Sequence, residues 1–368
     1  MAGNKDLHEL RPGFLVQPLH NSIPAKLLPR FDPAYVEHYN KYNAGRLHTH
    51  EVPIEAFRKD PAKYLTVYGR APGPDIFRIT EQTCAVKDGE IKIRMFEPAP
   101  ILDGQRQPRK RAVYVNFHGG GWVFGNLATD HDYCKRLVDG LHGHLVAFDV
   151  DYRLAPEHKF PTAVDDCWAA FNWIRARAEE FNLDLNRVSV GGASAGGHLS
   201  AVIAHQCRNA NIPLALQVLN VPVCDLHSPF TPDGEFDREN CPYESYREME
   251  HTVALPAARM SYFHKHFLGV PRPAPSEDDW KISPMLARDF TNLAPALVFS
   301  AEMDPLRDEA EVYASKLRAA GGRVELIRVA GAPHTFCALD GILESGKMFN
   351  AKVIETMKKM FVSRPSML

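Results

Sequence analysis

The stretch at residues 187–206 carries the most structural information in this chain, and it reads Arg-Val-Ser-Val-Gly-Gly-Ala-Ser-Ala-Gly-Gly-His-Leu-Ser-Ala-Val-Ile-Ala-His-Gln. A β-rich run is followed by Gly192-Ala193-Ser194-Ala195-Gly196 and then by an alanine-rich helical run. This strand–turn–helix order is the setting in which a G-x-S-x-G turn exposes a nucleophilic serine above a sheet. The pattern predicts Ser194 as a nucleophile, and a glycine-rich turn with the serine as helix N-cap is the structural alternative.

Short β-rich runs alternate with helical patterns on both sides of this stretch. Several of the β-rich runs are almost wholly apolar, which is typical of strands buried on both faces of a parallel sheet. The alternation predicts an α/β fold with a doubly wound, mostly parallel sheet. The predicted strands are 91–97, 112–117, 145–151, 187–191, 214–221, 296–301 and 324–329, and the predicted helices are 132–141, 163–180, 197–208, 307–320 and 342–361.

Two segments depart from the alternation and are predicted to lie outside the sheet. Residues 1–84 are rich in proline and show helical patterns at 33–42 and 54–64. Residues 224–284 separate two strands, and they contain proline and aspartate clusters and a helical pattern at 257–267. A structureless loop of this length is uncommon inside a compact domain. We therefore expect both segments to form a helical cap on a core made of residues 85–223 and 285–368.

A second glycine-rich loop, Phe117-His118-Gly119-Gly120-Gly121-Trp122, follows the predicted strand 112–117. Three successive glycines allow backbone N–H groups to point into one cavity, and such a loop complements the N–H of the residue after the nucleophile, here Ala195. The loop therefore predicts an oxyanion hole, with a flexible turn or a phosphate-binding loop as alternatives. Trp122 is predicted either to form the floor of a substrate pocket or to anchor the loop by packing.

A serine nucleophile of this type is followed along the chain by an acid and then by a histidine. His334 is the only histidine after Asp304, so that order makes His334 the candidate base. The candidate acids are Glu302, Asp304 and Asp308, which follow the strand 296–301. Asp304 is preferred because it is closest to the strand end without lying inside a helix, and it is also expected to be a helix N-cap before Pro305. Asp308 is expected to stabilise the helix dipole or to pair locally.

These stretches together resemble the hormone-sensitive-lipase-like family of α/β-hydrolases over about residues 85–365. The resemblance rests on five motifs in order, which are His118-Gly119-Gly120-Gly121-Trp122, Asp151-Tyr152-Arg153-Leu154-Ala155-Pro156-Glu157, Gly192-Ala193-Ser194-Ala195-Gly196, Asp304-Pro305-Leu306-Arg307-Asp308-Glu309, and Gly331 with His334 and Phe336. The resemblance implies a catalytic triad of Ser194, Asp304 and His334, oxyanion donors in the Gly119–Gly121 loop and at Ala195, and a cap domain. This sequence departs from the family at Ala193, where Asp or Thr is usual, and at His198, where Asn is commoner.

The resemblance implies a serine carboxylesterase that acts on short-to-medium acyl esters of small or aryl alcohols. An amidase or formamidase, a lactonase and an acyltransferase use the same triad, and they remain alternatives. A small-molecule receptor on this fold is a further alternative from a different functional class, although receptors of this kind resemble the family without its catalytic histidine. Besides Trp122, the expected pocket residues are the cap aromatics Tyr243, Tyr246, Tyr262 and Phe263.

Composition favours a small molecule as the partner. The family resemblance implies that this molecule is an ester. Lys and Arg number 43 against 45 Asp and Glu, giving a net charge of -2, so no electrostatic surface for nucleic acid is expected. No apolar run is long enough for a membrane span, and no stable membrane insertion is expected. The oligomeric state is expected to be a monomer or a homodimer.

Cysteine and histidine usage gives no sign of disulfides or metals. Seven scattered cysteines and the lack of a secretory signal predict a cytoplasmic protein, while the last residues, Ser366-Met367-Leu368, are similar to a peroxisomal address and leave that location open. The histidine pairs His48/His50 and His264/His266 lack the spacing of a metal site and are expected at the surface. No metal or organic cofactor is predicted.

Overall fold

The computed structural model describes residues 19–102, 109–274 and 276–362, and they are organised by one eight-stranded sheet. The strands follow the order β1-β2-β4-β3-β5-β6-β7-β8 across the sheet. From β3 onward all neighbouring strands are parallel. The strands are β1 (Arg78–Val86), β2 (Gly89–Glu97), β3 (Arg111–Phe117), β4 (Leu145–Asp151), β5 (Leu183–Ala193), β6 (Leu216–Asn220), β7 (Ala296–Met303) and β8 (Val324–Pro333). The predicted α/β fold with a mostly parallel sheet is confirmed.

The strand that sequence patterning missed is β1, which forms an antiparallel hairpin with β2. Its side chains are mostly exposed or half-buried, so it lacks the apolar signature of the central strands. The local signal was Asp88-Gly89 at the turn, a dipeptide typical of hairpins, and Asp88 has φ +59°. The boundary predicted after residue 84 therefore falls inside β1, and the sheet begins at Arg78.

The helices follow the predicted alternation, with two local differences. The pattern at 54–64 is split at Asp60, because Pro61 starts a new short helix. The helix after β7 has Leu306 as its N-cap residue, so Asp304 lies two residues before the cap and is not the N-cap that was predicted. The α-helices are α1 (Pro33–Tyr42), α2 (Ile54–Lys59), α3 (Pro61–Tyr64), α4 (His131–Gly140), α5 (Thr162–Ala176), α6 (Ala195–Asn209), α7 (Glu244–Glu248), α8 (Ala257–Leu268), α9 (Asp279–Ile282), α10 (Arg307–Ala319) and α11 (Glu344–Phe361).

Strand register brings the predicted functional loops together at one edge of the sheet. Phe117 at the end of β3 is paired with Gly192 near the end of β5, so the two glycine-rich turns leave the sheet side by side. Met303 on β7 is paired with Pro333 on β8, which places the two following residues next to each other. In open α/β sheets, ligands bind outside the carboxyl ends of the parallel strands.

The N-terminal segment and the 224–284 insertion meet above this edge through aromatic contacts. Phe57 of α2 packs on Phe124, with ring centroids 4.3 Å apart. Phe263 of α8 packs against the same Phe124 ring edge to face, with centroids 5.7 Å apart. Among the residues that the structure describes, no helix combines the length and the apolar character that a membrane crossing requires.

Candidate active site

The turn at Ser194 has a strained backbone conformation and packs closely against the neighbouring strand. Ser194 lies between β5 and α6 with φ +58° and ψ -116°, a conformation that non-glycine residues rarely adopt. Its N–H donates to the carbonyl oxygen of Asn220, at 2.9 Å. A β-carbon at Gly192 or at Gly196 would overlap the carbonyl oxygen of Phe117. The two glycines therefore let the turn approach β3 closely enough to raise the serine above the sheet.

The Gly119–Gly121 loop borders the same cavity as Ser194. Gly120 has φ +127° and Gly121 has φ +60°, and a β-carbon on Gly121 would overlap the ring of Phe263. The amide groups of Gly120, Gly121 and Ala195 donate no hydrogen bond to any residue within the described ranges. Ala195 is also the first residue of α6, where the helix dipole favours negative charge. Three backbone N–H groups without an acceptor among the described residues therefore lie at the cavity that holds Ser194.

His334 and Asp304 form a buried hydrogen-bonded pair. Nδ1 of His334 lies 2.6 Å from Oδ2 of Asp304, whose other carboxylate oxygen accepts from the N–H of Leu306 at 3.1 Å. Asp304 is fully buried, and the His334 side chain is 8% exposed. Because Nδ1 is engaged by the carboxylate, the Nε2 atom of His334 is left for chemistry. His334 lines the cavity together with Ser194.

The two other candidate acids have structural partners instead. Asp308 accepts from the Ser245 N–H at 2.7 Å and pairs with Arg307 at 2.8 Å, in the first turn of α10. Glu302 accepts from the N–H of Gly331, at 2.8 Å, in the loop that carries His334. The structure therefore brings Asp304 alone of the three into contact with the histidine.

The cavity above Ser194 has a volume of about 160 Å³, and its walls come from three parts of the chain. The sheet edge contributes the loops around Gly120, Ser194 and His334. The N-terminal segment supplies Leu65, Tyr68 and Arg70, and the insertion supplies Ala254, Leu255, Arg259 and Phe263. Of the aromatic residues expected to line the substrate pocket, only Phe263 lines this cavity, and the expectation for Tyr262 is wrong.

Trp122 lies outside the cavity, which corrects the expectation that it forms the pocket floor. Its side chain is fully buried, and its ring stacks on Phe267 of α8 with centroids 4.3 Å apart. The indole N–H donates to Nδ1 of His198 at 3.2 Å, while Nε2 of His198 lies 3.0 Å from the carbonyl oxygen of Lys281. Burial lowers the pKa of His198 to about 4, so the ring is neutral at neutral pH. The hydrogen-bonded side chains of Trp122 and His198 thus join the glycine loop to α6 and to the insertion.

Tyr243 and Tyr246 also lie outside the cavity, and the expectation for them is corrected in the same way. Tyr243 donates to Asp225 at 2.8 Å, and Tyr246 donates to Glu309 at 3.0 Å. Glu309 is fully buried and accepts from the N–H of Cys224 as well, at 2.6 Å. The pKa of Glu309 is raised, and burial is the largest cause. Both hydroxyls satisfy buried carboxylates. Tyr246 thereby anchors the insertion to α10, and Tyr243 joins two parts of the insertion to each other.

The histidine pairs are less exposed than the sequence suggested. His48 and His264 are buried, and burial lowers the pKa of each to about 4. His48 contacts the Tyr39 hydroxyl at 3.1 Å, and His264 contacts the carbonyl oxygen of Leu226 at 3.0 Å. Within the described residues no cluster of three or more His, Cys, Asp or Glu side chains has the arrangement of a metal site.

We expect Trp122→Phe to lower the free energy of unfolding by about 2–4 kcal/mol, since the change opens a small cavity and leaves Nδ1 of His198 without its donor. Denaturant unfolding measures this loss. The matched control is Trp168→Phe, which alters a half-buried ring stacked on Phe171. If the two variants lost equal free energy of unfolding, the stacking and hydrogen bond of Trp122 would contribute no more to stability than a half-buried tryptophan does.

We expect acid to destabilise the protein, and we expect His198 to account for part of the effect. The pKa of His198 is about 4 in the folded state against about 6.5 when unfolded, so the unfolded chain binds the extra proton and stability falls as pH drops below 6.5. Between pH 7 and pH 5 this histidine alone removes about 2 kcal/mol. His198→Asn should therefore show a correspondingly smaller loss over that interval, measured by denaturant unfolding at both pH values. An unchanged pH dependence would contradict the assignment.

Comparison with known proteins identifies the family of this chain. A family model described as alpha/beta hydrolase fold matches residues 114–338. An ethyl acetate hydrolase of Pseudomonas putida is 30% identical over 341 residues, which is 89% of this chain and 98% of that protein. The carboxylic ester hydrolase LipN of Mycobacterium tuberculosis is 36% identical over 275 residues, covering 73% of this chain and 67% of that protein.

Solved structures agree with these sequence relatives. The structure of an ester-hydrolase from the metagenome of Lake Arreo superposes with a TM-score of 0.73 and 32% identity, covering 87% of this chain and 94% of that chain. An esterase from Pyrobaculum calidifontis gives a TM-score of 0.67 at 34% identity, covering 78% of this chain and 88% of that chain. With the fold, the serine turn and the histidine–aspartate pair described above, these matches show that the chain belongs to the hormone-sensitive-lipase-like carboxylesterase family of α/β-hydrolases.

Proposed function

We propose that this protein is a serine carboxylesterase that hydrolyses short-to-medium acyl esters of small or aryl alcohols. The observation that carries the proposal is the convergence of three features on one cavity. These are Ser194 on a strained turn, the hydrogen-bonded pair of His334 and Asp304, and the free amides of the Gly119–Gly121 loop with Ala195. Together they supply the nucleophile, the base with its orienting group, and the donors that acyl transfer requires.

In the first half-reaction, the Ser194 hydroxyl oxygen attacks the ester carbonyl carbon while Nε2 of His334 takes the hydroxyl proton. Asp304 holds the other ring nitrogen at 2.6 Å, which fixes the tautomer and stabilises the imidazolium. The carbonyl oxygen becomes an oxyanion that the amides of Gly120, Gly121 and Ala195 are placed to receive. Each such donor is worth about 10²–10³ in rate.

The intermediate collapses when the bond between the carbonyl carbon and the alcohol oxygen breaks. His334 gives its proton to the departing alkoxide, so a neutral alcohol leaves and the acyl group stays on Ser194. In the second half-reaction, His334 takes a proton from water, and the hydroxide attacks the acyl carbon. The tetrahedral intermediate then releases the carboxylic acid, and the serine oxygen recovers its proton from His334.

Esters are the proposed substrates because relatives that cover most of this chain are named ethyl acetate hydrolase and carboxylic ester hydrolase. The cavity volume of about 160 Å³ favours acyl groups of short to medium length over long ones. Amidases, formamidases, lactonases and acyltransferases share the triad, so the substrate class has to be tested against them.

We further propose that the N-terminal segment and the insertion act together as a cap. Leu65 and Tyr68 from the first segment face the same cavity as Leu255 and Phe263 from the second. Neither segment alone closes the site, because each contributes a separate part of the wall. The cap would thereby limit the size of the acyl or alcohol group that reaches Ser194.

Hydrolysis of a p-nitrophenyl ester series from acetate to laurate tests the proposal. We expect measurable turnover with an optimum at a short or medium chain and a steep decline toward laurate. p-Nitroacetanilide reports amide cleavage, a γ-lactone reports ring opening, and added alcohols report acyl transfer. Turnover of the anilide or the lactone without turnover of any ester would overturn the carboxylesterase assignment.

A further inference from the structure

Arg259 stands out among the cavity residues because its charge has no carboxylate partner among the residues that the structure describes. It lies on α8, one helical turn before Phe263, and it lines the cavity that holds Ser194. No carboxylate within the described residues lies within ion-pair distance of its guanidinium. Within the described part of the chain, its one hydrogen bond runs from Nη1 to the carbonyl oxygen of Ala254, at 3.1 Å, and its Nε is buried without an acceptor.

The other charged side chains of the cavity cancel each other. Arg70 and Asp130 both line it, and they form an ion pair at 3.4 Å. An arginine keeps its proton in proteins, so Arg259 adds a positive charge that no other side chain lining the cavity neutralises. The cavity is therefore an electrostatic site for an anion as well as a catalytic one.

Arg259 is half-buried, and its surroundings offer little compensation for the water that its charge has lost. The ionisable groups that act on its charge are the hydroxyls of Tyr68, Tyr262, Tyr39 and Tyr35, and none of them is a carboxylate. Burial raises the pKa of Tyr35, Tyr39 and Tyr262. His48 and His50 are also affected by the Arg259 charge. Its guanidinium stands 5.7 Å from the centroid of the Phe263 ring. Removing a charge even partly from water is costly unless the charge is paired, so an unpaired arginine in a catalytic cavity points to a ligand that completes the pair.

We propose that the preferred substrates are esters that carry a carboxylate, and that Arg259 binds this carboxylate within the catalytic cavity. The inference rests on the proposed function and adds the substrate class. The guanidinium presents donors in a planar fork that matches a carboxylate, and its Nε–H still lacks an acceptor.

The position of Arg259 also sets the spacing between the carboxylate and the ester. Phe263 abuts Gly121 of the glycine loop, where the ester carbonyl is bound in the proposed mechanism. Arg259 lies four residues earlier on the same helix, about 6 Å away along its axis. The carboxylate therefore lies several bonds from the scissile carbonyl, as in half-esters of glutaric, adipic or suberic acid.

The test compares charged and neutral esters of matched length. Monoethyl glutarate, adipate and suberate carry the carboxylate on the acyl side, with ethyl pentanoate, hexanoate and octanoate as neutral counterparts. 4-Acetoxybutanoate carries it on the alcohol side, with butyl acetate as the counterpart. Acid release in a pH-stat gives kcat/KM for each. We expect at least one charged ester to exceed its counterpart by about 10-fold or more in the wild-type enzyme.

Arg259→Met should lower this charged-to-neutral ratio by about 10- to 100-fold, mainly through KM, and Arg259→Lys should retain part of it. Arg58→Met is the matched control, since Arg58 stands beside the cavity residue Phe124 but is paired with Glu157. The control should keep the wild-type ratio. Because Arg259→Met removes an unpaired charge, its melting temperature should equal or exceed that of the wild type.

The outcomes separate this inference from the proposed function. Hydrolysis of neutral esters with no preference for any charged ester, and an unchanged ratio in Arg259→Met, would overturn the carboxylate inference and leave the esterase proposal standing. Absence of hydrolysis of every ester by folded wild-type protein would overturn the proposed function itself. A reduced ratio in the Arg58→Met control as large as that in Arg259→Met would also contradict the assignment to Arg259.

Discussion

Ser194→Ala is expected to lower kcat/KM for the best p-nitrophenyl ester by about 10⁴- to 10⁶-fold. The alanine lacks the hydroxyl that forms the acyl-enzyme, and the oxyanion donors alone give only residual catalysis. The effect should fall on kcat, because the cavity walls that bind the ester are unchanged. Steady-state kinetics measures it, with circular dichroism to show that the variant is folded.

Ser200→Ala is the matched control for this variant. Ser200 lies on the same helix, is buried, and donates its hydroxyl to the carbonyl oxygen of Gly196 at 2.8 Å. Its loss should cost stability, while kcat/KM stays within a few fold of the wild type. Substantial turnover by Ser194→Ala would remove the serine from its proposed role.

Asp304→Asn is expected to lower kcat by about 10³- to 10⁴-fold with little change in structure. The carboxylate accepts the Nδ1 proton of His334 at 2.6 Å, which leaves Nε2 free to take the serine proton. An amide donates where the carboxylate accepted, so the histidine adopts the other tautomer and Nε2 loses its role as base. The remaining Asp304 contact, the hydrogen bond from Leu306, is one that an asparagine oxygen also accepts.

Asp308→Asn provides the control for Asp304→Asn, since both change an aspartate to asparagine within four residues of each other, one just before α10 and the other in its first turn. Asp308 pairs with Arg307 and with the Ser245 N–H, and has no contact with His334. We expect its kcat to stay near that of the wild type and its stability to fall modestly. Similar losses of kcat in both variants would contradict the choice of Asp304 as the acid.

The sheet and the serine turn were predictable because their signals are local. The apolar runs that become β3, β4 and β6 are buried along nearly their whole length, which is the property that the sequence pattern reports. The turn at Ser194 requires small residues on both sides within five positions, and these are visible in the sequence. Asp304 and His334 were predicted from the order of serine, acid and histidine along the chain, and the pairing of β7 with β8 in the structure brings them together.

The pocket walls were not predictable in this way, since they depend on how distant segments meet. Tyr243 donates a hydrogen bond to Asp225, and Trp122 donates one to His198. No local sequence pattern identifies these partners. Arg259 gave no sequence signal at all, because a single arginine in an amphipathic helix is ordinary. Its unpaired state becomes visible only when every neighbouring carboxylate has been located. Residues 366–368 lie outside the described part of the chain.

The most direct test of the central claim is covalent titration with diethyl p-nitrophenyl phosphate. The phosphorus is attacked by an activated serine, p-nitrophenolate leaves, and the diethylphosphoryl group remains on the oxygen. We predict release of one equivalent of p-nitrophenolate per chain, loss of esterase activity in step with it, and a single adduct on Ser194 by peptide mass mapping. No adduct on the active protein, or an adduct on another residue that accompanies the loss of activity, would contradict the account.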